Sequence, residues 1–296
     1  MAQGYNEVTT YREIEYSSTR EQRAEYWETG SSLQATDGLE VSEYAQKRAQ
    51  LYVSGEYSAA DLERDIRSHY GATARETRDA EADIVAARIA GLLEGFSFSL
   101  RPTTLDGIHA ALFTDVLPQE WVGRHRVVNI EKAEPVLGGR SVGYEDFRQI
   151  DAALAYDFER EARTSYRAPL DRAQVSRLAR FVAGMWQIHP FREGNARTIA
   201  VFSELYLRSL GVEVDNRPFM EHSELFRDML VRASFSSVAM GIEEDPSFIE
   251  AFFENLALGA SHDLGSLDLS LHGVRVDPNL SYRGEEGASF PSSDIH

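Results

Sequence analysis

The amino-acid sequence predicts an all-α fold, mainly a helical bundle, with one small β-hairpin. Apolar residues recur every three or four positions through most of the chain, which is the period of an amphipathic helix. The stretch 126–142 departs from this period, because short apolar runs lie on either side of Gly138-Gly139, as in two extended segments joined by a turn. The chain has 296 residues, 43% of them hydrophobic, so it can bury a substantial core.

The apolar stripes place the predicted helices in order along the chain. They cover 84–96, 105–113, 150–158, 175–185, 199–206 and 248–256. Boundary signals flank several of them: Pro102 precedes the second stripe, Asp171 is the predicted N-cap of the fourth, and Gly211 follows the fifth.

Residues 1–70 form a separate predicted unit. It contains three short helices, near 11–27, 41–52 and 58–70. Their apolar content is low and short helices are marginal alone, so we expect them to pack on a larger domain at 71–258. Residues 259–296 predict a C-terminal tail, in which an alternating apolar segment around His272-Gly273 indicates a short β-hairpin.

Composition excludes several classes of site and partner. The sequence has no cysteine, which excludes disulfides, thiolate nucleophiles and cysteine-ligated zinc. Its 30 basic and 48 acidic residues give a net charge of −18, which repels nucleic acid and anionic membranes, so we expect neither as a partner. No signal core or long apolar run is present, which predicts a cytoplasmic protein, although export by a signal-independent route would leave no trace in the sequence.

The segment between the fourth and fifth helices contains the candidate functional residues. It reads His-Pro-Phe-Arg-Glu-Gly-Asn-Ala-Arg over 189–197. Proline disfavours helical geometry in the residue before it, so the first helix ends near His189 and the second begins near Asn195 or Ala196. Gly194 permits a close backbone approach, and the free N–H groups of a helix start bind anions. The sequence therefore predicts a phosphate site here.

Each polar side chain of the segment suits one task in the transfer of a phosphate-containing group. His189 has an ordinary pKa near neutrality and suits a general base. A carboxylate such as Glu193 is repelled by phosphates unless it binds Mg²⁺ between them. Arg197 suits binding of a phosphate, and Asn195 can donate a hydrogen bond to one. Taken singly, His189 is more typical of a cap or core residue, and Glu193 with Arg197 of a surface ion pair. The ordered string favours the site.

This string resembles the signature of the Fic family, with Ala196 where glycine is usual. The resemblance extends over about 80–258 and implies a helical bundle that transfers AMP from ATP to a Ser, Thr or Tyr hydroxyl of a protein, releasing pyrophosphate. It implies that His189 is the base and Glu193 the Mg²⁺ ligand. It further implies that Gly194, Asn195, Ala196 and Arg197 bind the nucleotide phosphates. Val128, Asn129 and Ile130 fall in the family's flap, which aligns the target by strand addition.

Ala200 is a second departure from the family pattern. Many members carry a second arginine there, which holds the terminal phosphate and pairs with an inhibitory glutamate. Without it the resemblance leaves the donor open, so a second hypothesis is a Fic-type transferase that uses another phosphate-containing donor. A third hypothesis, of another class, is a catalytically silent module that binds protein through this fold.

Residues 1–70 weakly resemble the small VbhA-type antitoxins that block Fic enzymes, which implies a toxin-like or regulatory protein. Asp37-Gly38 falls where the inhibitory motif has glutamate, and Leu33 falls where it has a hydroxyl residue. With Ala200 also in place of the partner arginine, we expect the usual inhibitory salt bridge not to form. The segment is then either an inhibitor or a packed, partner-binding or relic module. The sequence does not predict the target protein or the oligomeric state.

Overall fold

The computed structural model describes residues 18–71, 77–95 and 97–271, and this part of the chain is helical with irregular connections. Its helices are α1 (Arg20–Ser32), α2 (Glu43–Ser54), α3 (Ala59–Tyr70), α4 (Arg78–Gly95), α5 (Pro102–Phe113), α6 (Ile150–Ala162), α7 (Arg172–Ile188), α8 (Asn195–Ser209), α9 (Arg217–Ser234) and α10 (Ser247–Leu258). Every predicted stripe falls in one of them, apart from Phe96, which lies outside the described residues. The helical fold class is confirmed.

The predicted helix boundaries rest on recognisable caps. The Asp171 side chain accepts a hydrogen bond from the backbone N–H of Gln174, and the Asp171 N–H donates to the Gln174 side chain, which is a capping box at the start of α7. Ser58 and Asp61 form the same arrangement at the start of α3. These caps satisfy N–H groups that have no partner inside the helix, and they explain why both helices begin where the sequence predicts.

Helix α8 lies in the interior and carries the motif at its start. Each of its residues from Asn195 to Leu207 is buried. It packs against α4, α5 and α7, and the aromatic rings of Phe202 and Tyr206 join those of Phe158 and Phe181 in one cluster. Because close packing allows little movement in such a core, the start of α8 is a rigid place for a site.

The N-terminal helices share this core. Helix α1 packs on α4 and α9, and α3 packs on α4. Apolar side chains from the N-terminal segment, among them Leu33, Tyr52 and Leu62, are fully buried in the same cluster as α7 and α8. The expected packing of this segment on the larger domain is confirmed, and it brings the short 3-10 turn Leu33–Asp37 against α8 and α9.

The predicted hairpin at 126–142 differs from the structure. No β-strand is present in the described residues, and this stretch is an irregular loop closed by a single antiparallel bridge between Glu134 and Arg140. Side chains rather than a backbone ladder hold the loop: Arg126 donates to the carbonyls of His189 and Val128. The predicted C-terminal hairpin lies mostly outside the described residues. No helix among those described is long and apolar enough to cross a membrane.

Candidate functional site

His189 ends α7 with its backbone in the left-handed region, at φ 50°. Its Nδ1 lies 3.2 Å from the carbonyl oxygen of Trp186. A carbonyl oxygen only accepts hydrogen bonds, so Nδ1 carries the proton and Nε2 keeps its lone pair. The imidazole is 4% exposed and lies against the Tyr144 ring, with 4.3 Å between ring centroids. The residue is therefore fixed in the tautomer that a general base needs.

The surroundings of His189 also keep it neutral. Burial lowers its pKa well below 6.5, and the positive charges of Lys132, Arg227 and Arg126 lower it further. The hydrogen bond to Trp186 acts in the opposite direction but does not compensate. A neutral imidazole at physiological pH can accept a proton, which is the state that base catalysis requires.

The loop after His189 is held by a second histidine. Phe191 is fully buried, and its ring stacks on that of His109 with centroids 4.0 Å apart. His109 donates from Nε2 to the carbonyl of Glu193 at 3.1 Å and accepts at Nδ1 from the N–H of Gly123 at 2.9 Å. Burial lowers the pKa of His109 to about 4, so it stays neutral in this role. It fixes the motif loop from behind.

Gly194 and Asn195 shape the turn into α8. Gly194 has φ 75°, and a Cβ added there would lie 2.4 Å from the ring of Phe113, so no larger residue fits. The Asn195 amide accepts from the N–H of Phe191 at 3.0 Å and donates to its carbonyl at 2.7 Å. The Asn195 side chain therefore ties the motif loop together, and the backbone at Asn195 and Ala196 starts the helix. A contact of Asn195 with a phosphate stays a prediction.

Arg197 is buried and has three polar partners. Its side chain is 1% exposed, and Nε lies 2.8 Å from Oδ2 of Asp37. Nη2 lies 2.7 Å from Oε1 of Glu81 on α4, and Nη1 donates to Oε1 of Gln34 at 3.1 Å. Two of these three partners belong to the N-terminal segment. That segment therefore occupies the guanidinium for which the sequence predicts a phosphate.

Asp37 also reaches a residue that the sequence did not single out. Its Oδ1 lies 3.3 Å from Nη1 of Arg227 on α9, and Arg227 is 3% exposed. Burial by itself raises the pKa of Asp37, but the charges of Arg197, Lys132 and Arg227 outweigh it and the net pKa is lowered. The usual salt bridge to position 200 does not form, because Ala200 has no charge. Asp37 pairs instead with the motif arginine Arg197 and with Arg227.

Glu193 and the flap residues lie at the open side of the site. The Glu193 side chain is 41% exposed, with Nζ of Lys132 3.8 Å from its carboxylate. Val128 is 42% exposed, and Asn129 accepts from the N–H of Phe147 at 2.9 Å. Gly38, which follows Asp37 in a left-handed conformation at φ 66°, ends the turn Leu33–Asp37.

Four residues of the site were missed from the sequence: Gln34, Glu81, Glu134 and Arg227. They lie on separate elements, and no spacing in the sequence relates them to the motif. Tertiary packing brings them together: the turn Leu33–Asp37 packs on α4, α8 and α9, and Glu134 of the 126–142 loop pairs with Arg227.

Comparison with known proteins follows this geometry. Residues 99–207 match the model of the Fic/DOC family. This part of the chain is a Fic/DOC domain. The resemblance carried by the motif is thereby confirmed over that range.

Two curated relatives that this chain matches carry the name of an activity. One is protein adenylyltransferase VbhT from Bartonella schoenbuchensis, 30% identical over 151 residues, or 48% of this chain and 28% of the relative. The other is probable protein adenylyltransferase y4lH from Sinorhizobium fredii, 32% identical over 129 residues, or 44% of this chain and 62% of the relative. The chain thus spans less than two thirds of either relative.

A solved structure with detectable similarity is the N-terminal FIC domain of Bep8, a VirB-translocated effector protein from Bartonella sp. 1-1C. It is 17% identical, with a TM-score of 0.44, over 66% of this chain and 84% of that one.

Proposed function

We propose that this chain is a Fic-type protein adenylyltransferase, which transfers AMP from ATP to a Ser, Thr or Tyr hydroxyl of a target protein. The proposal rests on two features of one motif loop: His189 at its beginning is neutral and oriented, and Arg197 at the start of α8 is a buried cation. The adenylyltransferase names of both curated relatives support it.

The chemistry assigns each group one task. Nε2 of His189 takes the proton of the target hydroxyl, whose oxygen bonds to the α-phosphorus of ATP. The bond from that phosphorus to its bridging oxygen breaks, and pyrophosphate leaves with the electron pair. Arg197 and the backbone N–H groups at the start of α8 neutralise the phosphate charge. The exposed Val127 and Val128 of the flap offer an apolar edge to the target.

Glu193 fits a magnesium ion, but only together with a nucleotide. The described residues hold no group of three or more His, Asp or Glu side chains that could bind a metal by themselves. Glu193 offers one half-exposed carboxylate beside the phosphate site, and Mg²⁺ commonly takes one or two protein carboxylates plus substrate phosphates. The ion would supply further neutralisation of the phosphate charge.

The N-terminal segment keeps this site closed in the proposed mechanism. The Arg197 guanidinium contacts Asp37, Glu81 and Gln34, so a phosphate can reach it only when Asp37 moves away. The segment therefore acts as an inhibitor within the same chain. Because Asp37 lies at the end of a short turn, a small movement of that turn suffices to free the guanidinium.

The proposal is tested by labelling target proteins in a lysate with ATP radiolabelled at its α-phosphate, in the presence of Mg²⁺. The variant Asp37→Ala should label targets at least about 10-fold more than wild type, because one strong charge-assisted contact no longer blocks Arg197. Asp65→Ala is the matched control, since Asp65 pairs with Arg48 within the N-terminal segment, away from the motif.

Labelling by Asp37→Ala should disappear in the double variant with His189→Ala. Equal labelling by the two variants would exclude His189 as the base. Equal labelling by wild type, Asp37→Ala and Asp65→Ala would exclude Asp37 as an inhibitor.

A further inference from the structure

We propose that Arg227 on α9 is a second phosphate-binding cation of this site, and that together with Arg197 it selects donors with a chain of two or more phosphates. This rests on the proposed function and deepens it. Nothing in the motif points to Arg227, which lies in an ordinary helical stretch of the sequence.

The geometry at Asp37 carries the proposal. Arg197 lies 2.8 Å from Oδ2 of this carboxylate, and Arg227 lies 3.3 Å from Oδ1. Two buried guanidinium groups from different helices thus hold one anion between them, each through a different oxygen. Guanidinium groups bind carboxylates and phosphates alike through paired N–H groups. Phosphate oxygens can therefore take the place of the Asp37 carboxylate between the two arginines.

Arg227 is held in position independently of Asp37. Its Nη2 lies 3.1 Å from each carboxylate oxygen of Glu134, which is fully buried and accepts a further hydrogen bond from Tyr144 at 3.0 Å. Arg197 likewise keeps Glu81 as a fixed partner. When Asp37 withdraws, both guanidinium groups therefore remain in place, and the site lacks the negative charge that lay between them. An anionic ligand restores it.

The positions of Arg227 and Arg197 relative to His189 indicate how many phosphates the ligand has. The Tyr144 ring, whose hydroxyl binds Glu134, packs 4.3 Å from the ring of His189. Arg227 is thus connected to the base through two side chains, while Arg197 lies on the first turn of α8 directly after the motif loop. Two cations on separate elements match successive phosphates of one chain, so a nucleoside di- or triphosphate engages both. A nucleoside monophosphate engages fewer of these contacts.

A purely structural ion pair between Arg227 and Glu134 is the alternative. The two interpretations differ in what the removal of Arg227 does. If Arg227 serves only to neutralise Glu134, removing Arg227 affects stability and not the choice of nucleotide. If Arg227 binds phosphate, removing it weakens the binding of ATP more than the binding of AMP.

The experiment measures binding of Mg²⁺·ATP and of AMP by calorimetry, with the full chain carrying Asp37→Ala so that the site is open. Adding Arg227→Met should weaken ATP binding by about 10- to 100-fold, the size expected for one charge-assisted contact, and AMP binding by less than about threefold. Arg232→Met is the matched control, because Arg232 is a buried arginine of the same helix that donates to the carbonyls of Leu269 and Ser270. It should leave ATP affinity unchanged.

Thermal unfolding of each variant accompanies the titrations. If Arg227→Met does not fold, Arg227→Lys replaces it, and should weaken ATP binding relative to AMP while keeping the charge beside Glu134. Unchanged ATP affinity, or an equal loss for ATP and AMP, would overturn the role of Arg227 while leaving the proposed function in place. Failure of Asp37→Ala itself to bind Mg²⁺·ATP would overturn the proposed function and this inference together.

Discussion

At the scale of single residues, three other residues hold His189 in the state that the proposed base needs. Trp186 fixes its tautomer, while Lys132 and Arg227 help to keep it neutral. In the Asp37→Ala background, replacing His189 by alanine should lower the transfer rate by about 100- to 10,000-fold, the usual contribution of a positioned base. ATP affinity by calorimetry should change little, because the ring makes no phosphate contact in the proposed mechanism. A matching loss of ATP affinity would show that His189 binds the donor instead.

Glu204 gives the stability of the protein a specific dependence on pH. Burial raises its pKa from 4.5 to about 7, although Arg208 and Asn216 act in the opposite direction. The folded state thus holds this proton more tightly than the unfolded state does. The contribution of Glu204 to the free energy of unfolding should therefore increase as the pH falls from about 7 to about 4.5, by up to about 3 kcal/mol.

Urea unfolding at pH 8 and pH 5, with Glu204→Gln for comparison, measures this contribution. Other groups titrate in both proteins, so the difference between wild type and variant isolates Glu204. The variant should lack the gain that wild type shows on acidification. An identical pH dependence of the two proteins would contradict the raised pKa.

Some residues of the site lie in one continuous motif, and others come together only through tertiary packing. His189, Glu193 and Arg197 were predictable because their spacing in one continuous string encodes a helix end, a turn and a helix start. The contact of the Asn195 amide with both backbone groups of Phe191 was not predictable, because it depends on how the motif loop folds. Arg227 was not predictable at all, since only tertiary packing places it beside Asp37.

At the scale of elements, the N-terminal segment is held on the domain by close contact of α1 with α4. Gly30 lies at this contact, where an added Cβ would be 2.5 Å from the carbonyl oxygen of Ala86. Gly30→Ala should therefore push α1 away from α4, loosen the turn that bears Asp37 and raise target labelling above that of wild type. The contact is distant in sequence from every motif residue, so the effect would act through the segment alone.

Gly107→Ala is the control for this prediction, because Gly107 is also helical and nothing lies within 4 Å of its added Cβ. It should leave labelling unchanged. Thermal unfolding should show a loss of about 1–3 kcal/mol for Gly30→Ala, the usual cost of overpacking, and none for the control. A destabilised Gly30→Ala protein that labels no more than wild type would argue against the segment as an inhibitor.

The helices were predictable as elements, while the flap was not. A period of three to four residues appears directly in the sequence, and the caps at Ser58 and Asp171 mark where helices begin. The apolar pattern near 126–142 does not determine which segments pair as strands, because pairing also needs a partner segment in register. In the structure Arg126 and Glu134 bind the helical body through side chains, and only one bridge forms.

At the scale of the whole molecule, a negative protein encloses a cluster of positive side chains. The net charge is −18, but Arg197 and Arg227 are almost completely buried behind the N-terminal segment. Anions in bulk solution are repelled from the surface, and those that enter meet a site already filled by Asp37. In the proposed inhibition, the blocking negative charge therefore lies inside the protein, at Asp37, and not on its surface.

Mass spectrometry of target proteins after reaction tests the central claim most directly. Asp37→Ala is incubated with Mg²⁺, ATP and a lysate, beside the same variant carrying His189→Ala. The account predicts that the first protein adds the mass of one AMP to Ser, Thr or Tyr side chains, and that the second adds none. An added group other than AMP, or the same modification by both proteins, would contradict it.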